Sequence, residues 1–145
     1  MPYKILENIA YADFALEVTA GSLPELFQEA ARAIQAVQFE IKEIKPKVSR
    51  KVELNNYQDA QELLYDFLSE VIFYKDSESL AFGKFKIDLQ IPKDGGVYNL
   101  RAQLWGEKID PQKHTLHNDI KAITRYRFKL EEKKDKWRAL IIVDV

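Results

Sequence analysis

The sequence predicts an α+β domain, with two amphipathic helices packed on mostly antiparallel β-sheet. Three observations predict it. Two segments place apolar residues at spacings of three and four. The remaining ordered segments alternate apolar and polar residues with a period of two. In the second half, alternating segments follow one another across short turns, which join antiparallel neighbours.

The first strand is read where Phe14, Leu16 and Val18 alternate with Ala15, Glu17 and Thr19. The first helix follows. Ser22 and Glu25 have capping-box spacing, in which each side chain satisfies the other's free backbone N–H. Pro24 falls in the first turn, where its missing N–H costs nothing. Leu23, Leu26, Phe27, Ala30, Ala31, Ile34 and Val37 form one stripe, with Gln28, Arg32 and Gln35 off it, so the helix spans about 23–38. A strand over 47–54 turns Val48, Arg50, Val52 and Leu54 to one side.

The second helix is expected to start at Asn55 or Asn56, both good N-caps. Its stripe is Ala60, Leu63, Leu64, Phe67, Leu68, Val71 and Ile72, and it ends near Tyr74. A hairpin follows: 82–91 with Phe85, Ile87, Leu89 and Ile91 on one face, then Asp94-Gly95-Gly96, then 97–104. The glycines suit the turn because they tolerate positive φ. A last hairpin pairs 125–132 with 137–143 around 133–136.

Composition bounds the rest. At about 150 residues per domain, 145 residues make one domain spanning 1–145. With no cysteine, disulfides, thiolate metal sites and cysteine nucleophiles are excluded. Lys and Arg total 22 against 23 Asp and Glu, so no overall positive charge exists to hold a nucleic-acid backbone, although a local basic patch remains compatible with that balance. The longest apolar run, 139–143, is far too short to span a membrane, and the first ten residues lack a signal-peptide core. The expected location is the cytoplasm.

Few residues offer catalysis. His114 and His117 stand in a polar segment and read as ordinary exposed loop histidines. No Walker loop, nucleophile elbow or dinucleotide fingerprint occurs. Lys121, amid apolar neighbours, reads as the outward residue of a strand, and Glu107 as a loop-edge charge. Asp13 and Asp144 are more informative, because an ionised carboxylate among apolar residues needs a partner or a metal. By themselves they read as a loop end and a solvated terminus. Together with a terminal carboxylate on Val145 they form one oxygen cluster only if the last strand lies beside the start of the first.

These pieces, taken in order, resemble the archease family along nearly the whole chain. Ala12-Asp13, then Ser22-Leu23-Pro24-Glu25-Leu26-Phe27 and Ala30-Ala31, is similar to that family's opening. Leu63-Leu64 with Phe67-Leu68-Ser69-Glu70 resembles its second helix, and Phe82 its step into the hairpin. Gly106-Glu107, Asp110 and His114 match its G-E-x-x-D-x-x-x-H loop. Ile120-Lys121-Ala122-Ile123-Thr124 resembles its V-K-A-[IV]-T element, and the chain closes on Asp144-Val145. Three departures stand out. Ala10 and Tyr126 occupy positions where the family has histidine, and Ala20 stands where it has glycine, with Gly21 next.

The resemblance implies a non-catalytic protein cofactor of an RtcB-type RNA ligase in tRNA splicing. Such a cofactor promotes guanylylation of the ligase and its repeated turnover. It implies a divalent-metal site at Asp13, Asp144 and Val145, with Glu107, His114 and Lys121 behind it or facing the partner. An all-oxygen site suits Ca²⁺, with Mg²⁺ or Mn²⁺ as alternatives. The ligase is the expected partner and RNA is contacted mainly through it, with no role for a membrane. The alternative reading is a chaperone or adaptor for a tRNA-modifying enzyme.

Overall fold

The computed structural model describes residues 2–7 and 13–145. The elements are β1 (Tyr3–Glu7), β2 (Asp13–Ala20), α1 (Leu23–Gln38), β3 (Val48–Tyr57), α2 (Ala60–Glu78), β4 (Leu80–Gln90), β5 (Tyr98–Lys108), β6 (Ala122–Ile123), β7 (Lys129–Lys133) and β8 (Lys136–Asp144), with one 3-10 turn at Ile41–Glu43. The strands form two antiparallel sheets. In one, β1, β2 and β8 lie side by side, and β6 and β7 share the far edge of β8. In the other, β5 lies between β3 and β4. The α+β architecture is the one the hydrophobic periods predict.

The first helix has the predicted bounds. The Ser22 hydroxyl accepts from the Glu25 N–H at 3.3 Å. The whole predicted stripe is buried, and so are Ala33 and Gln35. Gln35 was expected off the stripe. Instead its Oε1 accepts from the Phe82 N–H at 2.9 Å, beside the β4 bulge between Phe82 and Lys84. α1 touches β2 and β8 of one sheet and β4 of the other, so it is covered on more than one side. A period calculation cannot anticipate a glutamine buried to satisfy another strand's backbone.

The second helix begins later than expected. Asp59 is the N-cap and accepts from the Gln61 N–H at 2.9 Å. Asn55 and Asn56 belong to β3, whose register shifts between Leu54 and Tyr57, and Asn56 has φ 68°. Asparagine tolerates the left-handed region, so the chemistry that suits a cap also suits an irregular strand. α2 also runs a turn past Tyr74 to Glu78, then stops at left-handed Ser79. Lys75 reads as a polar end, yet it is buried. Its Nζ lies 2.5 Å from both Asp119 Oδ1 and the Ile120 carbonyl. Those partners are more than forty residues away in sequence.

Two strand assignments also change. β1, not expected, is an edge strand beside β2. An edge strand buries little, and Ile5 is exposed, so it carries a weak pattern. β7 starts only at Lys129 because Arg125–Phe128 is a turn, closed by the Phe128 N–H on the Arg125 carbonyl. The two helices and both sheets share one core. Phe27 of α1 stacks on Phe67 of α2 with centroids 5.9 Å apart, and Leu16, Leu100 and Ile141 are fully buried in the same core. Each such side chain contributes about 1.5–3 kcal/mol by leaving water. Among the described residues, no helix is long and apolar enough to cross a membrane.

Candidate functional site

β2 and β8 run antiparallel in continuous register from Asp13 opposite Asp144 to Ala20 opposite Trp137. Directly opposed residues of an antiparallel pair share one face, with Cβ atoms about 4.5–5.5 Å apart. Asp13 and Asp144 therefore form a like-charge cross-strand pair, and both are half-buried. On the other side of β8, Ala122 pairs with Asp144, and the Lys121 N–H donates to the Asp144 carbonyl at 2.7 Å. The Ile142 carbonyl accepts from the Thr124 N–H at 2.9 Å and the Thr124 hydroxyl at 3.1 Å. Thus 120–124 is stitched to the end of β8 that carries the acid. Lys121 itself is exposed, and Val145 packs on the core.

The condition set by the sequence is met: the last strand lies beside the start of the Phe14 strand. Among the described residues no third His, Cys, Asp or Glu side chain completes a group of three. The third candidate donor is a main-chain oxygen of Val145. Two opposed carboxylates at a ladder end destabilise the ladder unless a cation neutralises them. Their all-oxygen character fits a hard divalent ion.

A second acidic site lies on β5, built differently. Glu107 is buried, with 5% of its surface exposed. Its Oε2 accepts from the Lys45 N–H at 2.8 Å and meets His114 Nε2 at 3.0 Å. Its Oε1 accepts from Lys113 Nζ at 2.8 Å, and Lys47 Nζ lies at 3.6 Å. The Lys113 ammonium first, then His114 and the Lys45 amide, hold this carboxyl well below the ordinary carboxylate range. His114 Nδ1 accepts from the Asp110 N–H at 2.9 Å, so the ring proton sits on Nε2 and donates to Glu107. Neither ring nitrogen remains available as a base. Gly106 makes the arrangement fit: a Cβ there would lie 1.8 Å from the Ala81 carbonyl oxygen.

The archease protein family (MTH1598/TM1083) matches residues 3–145. The chain belongs to the archease family. It is 36% identical to the protein archease of Pyrococcus furiosus over 135 residues, which cover 92% of this chain and 93% of that protein. It is 31% identical to the protein archease of Methanosarcina acetivorans over 143 residues, 99% of this chain and 95% of that one. The fold superposes on the solution structure of Methanobacterium thermoautotrophicum protein 1598 with TM-score 0.81 at 24% identity, covering 99% of both chains. It also matches the crystal structure of an archease, possible chaperone, from Thermotoga maritima, with TM-score 0.63 at 18% identity, covering 94% of this chain and 93% of that one.

Within this archease fold the motif residues fall into two places. Asp13, Asp144, Val145 and Lys121 gather at the end of the β2–β8–β6 ladder. Glu107 and His114 lock the loop after β5 in the other sheet. The exposed-loop reading of His114 and the loop-edge reading of Glu107 are therefore corrected: both are buried and bonded to each other. His117 is exposed as expected. Ala10 lies outside the described residues, and Tyr126 is exposed. Residues that sequence reasoning missed include Lys75 and Gln38. Gln38 Oε1 accepts from the Ile120 N–H at 3.2 Å, and with Lys75 it pins the segment leading to Lys121. No local signal marks either. Gly106 inside an alternating strand was the one available cue to a close backbone approach.

Proposed function

We propose that the protein is a non-catalytic activator of an RtcB-type RNA ligase in tRNA splicing, promoting ligase guanylylation and multiple turnover through a divalent-metal site. The observation that supports this reading is the register of β2 on β8, which opposes Asp13 and Asp144 in a chain of the archease family. Asp13, Asp144 and a Val145 main-chain oxygen would hold the ion, Ca²⁺ first, with Mg²⁺ or Mn²⁺ as alternatives. Bound there, it would supply concentrated positive charge, which is what phosphoryl transfer most needs from its surroundings. Lys121, exposed on the segment bonded to Asp144, is the side chain best placed to meet the ligase. In this reading RNA is met mainly through the ligase, in the cytoplasm.

The test is multiple-turnover RNA ligation with limiting ligase, GTP and divalent metal, with and without this protein. Stimulation that Asp144→Ala abolishes is the expected result. Stimulation unaffected by Asp13→Ala and Asp144→Ala would remove the metal from the reading. Its absence with a folded protein and active ligase would leave the chaperone or adaptor role, in keeping with the Thermotoga maritima relative described as a possible chaperone.

A further inference from the structure

The outer face of the β3–β5–β4 sheet is not used by anything above. Leu100, Ala102 and Leu104 of β5 point into the core, so the alternate residues Arg101, Gln103 and Trp105 point outward. The register sets these in rows. Ser49, Trp105 and Lys84 form one row, Lys51, Gln103 and Lys86 the next, and Glu53, Arg101 and Asp88 the third. The first two rows carry three exposed lysines and no acid. Exposed Lys47 stands at the Gly106 end of these rows, but its Nζ lies 3.6 Å from the buried Glu107 carboxylate that Lys113 also holds. A chain of net charge −1 therefore concentrates positive charge on one half of one sheet face.

In the middle of that charge stands Trp105, half-exposed on the side of the sheet away from the helices. Lys84 Nζ lies over its ring, 4.9 Å from the centroid. One row further along, a shallow concavity of about 240 Å³ is lined by Lys51, Lys86, Gln103 and Arg101 together with the carboxylates Glu53 and Asp88. Lysines alone fit any anion. A half-exposed indole among them fits one whose repeating unit has both a phosphate and a free aromatic face. A duplex hides its base faces, and the charged residues of an acidic peptide carry no aromatic ring.

We propose that this face binds single-stranded polynucleotide, with Lys51, Lys84 and Lys86 on the phosphates and a base stacked on Trp105. Lys84 leaves the ring for a phosphate as the base arrives, since base–aromatic stacking outweighs an exposed cation–π contact. The site gives this chain a direct grip on single-stranded polynucleotide, and it does not depend on the metal or on the ligase.

The test uses the full chain carrying Trp137→Phe, which leaves Trp105 as the sole tryptophan. Oligouridine and oligothymidine 12-mers are titrated at about 50 mM salt, following Trp105 fluorescence. Saturable quenching is expected. The log–log salt slope should be about −2, as three phosphate contacts on a single strand give. Lys84→Glu with Lys86→Glu should weaken binding more than about tenfold and flatten that slope. By anisotropy with labelled oligomer, Trp105→Leu should weaken it at least about fivefold, while Trp105→Tyr retains most of it. Lys133→Glu with Lys136→Glu, in the distant hairpin, should leave it unchanged. Melting curves establish that each variant is folded. Absent quenching, full-strength binding by Trp105→Leu, or equal competition by a duplex of the same length would overturn the proposal. Equal competition by polyglutamate would overturn it in favour of an acidic protein partner.

Discussion

Glu107 on β5 and the Asp13–Asp144 pair across β2 and β8 are both carboxylate sites at strand ends, yet their surroundings differ in kind. Glu107 is buried and supplied with a backbone N–H, an imidazole and two ammonium groups from its own chain. The aspartates are half-buried, opposed to each other and joined by no third ligand side chain among the described residues. The first site has already consumed its charge in folding. The second lies half-buried at a ladder end and, in the reading proposed above, is left for a cation from outside. A family motif can thus contain an acid paired within the chain beside acids that are not, and only the partners of each distinguish them.

The largest expected effect tests the wall of the first site. Gly106→Ala places a methyl against a backbone carbonyl that no rotamer change can avoid. It should cost about 3 kcal/mol or more, the upper range for overpacking. A urea-melt difference under about 1 kcal/mol would show that β4 can move away.

Next comes the contrast itself. Divalent metal at about one hundred times its dissociation constant should stabilise the wild type by about 2.7 kcal/mol, or roughly 5–10 °C in Tm. Asp144→Ala should abolish that increment, whereas Glu107→Gln should keep it. A metal-dependent shift lost in Glu107→Gln and kept in Asp144→Ala would reverse the two assignments.

Without metal, Glu107→Gln should destabilise by about 1–3 kcal/mol, because a neutral amide oxygen replaces a charged acceptor for buried donors. This loss has a pH signature. The folded Glu107 carboxyl lies below its ordinary value near 4.5, so on acidification the unfolded chain takes up the proton first. The contribution is full above about pH 4.5 and is lost as pH falls toward the folded value. The gap between wild type and Glu107→Gln should therefore narrow progressively below pH 4.5 in acid melts. A constant gap would place the stabilisation in packing rather than charge.

The smallest effect has the opposite sign. Asp144→Asn in metal-free buffer should stabilise the protein by up to about 1 kcal/mol, because it removes a directly opposed like charge. A loss of stability instead would mean that the pair already has a compensating cation within the chain.

Much of the fold was legible where one side of an element faces one neighbour. The Ser22 cap and the stripe of α1 place both of its ends, although the return bond from the Glu25 side chain does not form, and alternation locates β2, β4, β5 and β8 to within a few residues. Assignments slipped where a residue serves a distant element. Gln35 is buried for the Phe82 N–H, Lys75 for Asp119 and Ile120, and Asn56 bends a strand instead of capping a helix. Edge strand β1 was not assigned, and two of its side chains, Lys4 and Ile5, are exposed. The candidate site divides in the same way. That Asp13 and Asp144 were unusual was visible from their apolar neighbours, whereas the burial of Glu107 and His114 was not.

The sequence by itself determined the two helices, the antiparallel hairpins and the residue types able to carry charge. Periodicity and caps act over a few residues, and composition acts over none. Tertiary structure alone decided which charges meet. The pairing of β2 with β8 joins residues 131 positions apart, and the packing of 107–114 beneath Lys45 and Lys47 joins others about sixty apart. Whether a carboxylate is spent inside the chain or left for a ligand depends on groups within about 4 Å. Proximity over such separations is set by sheet register, which no local pattern contains.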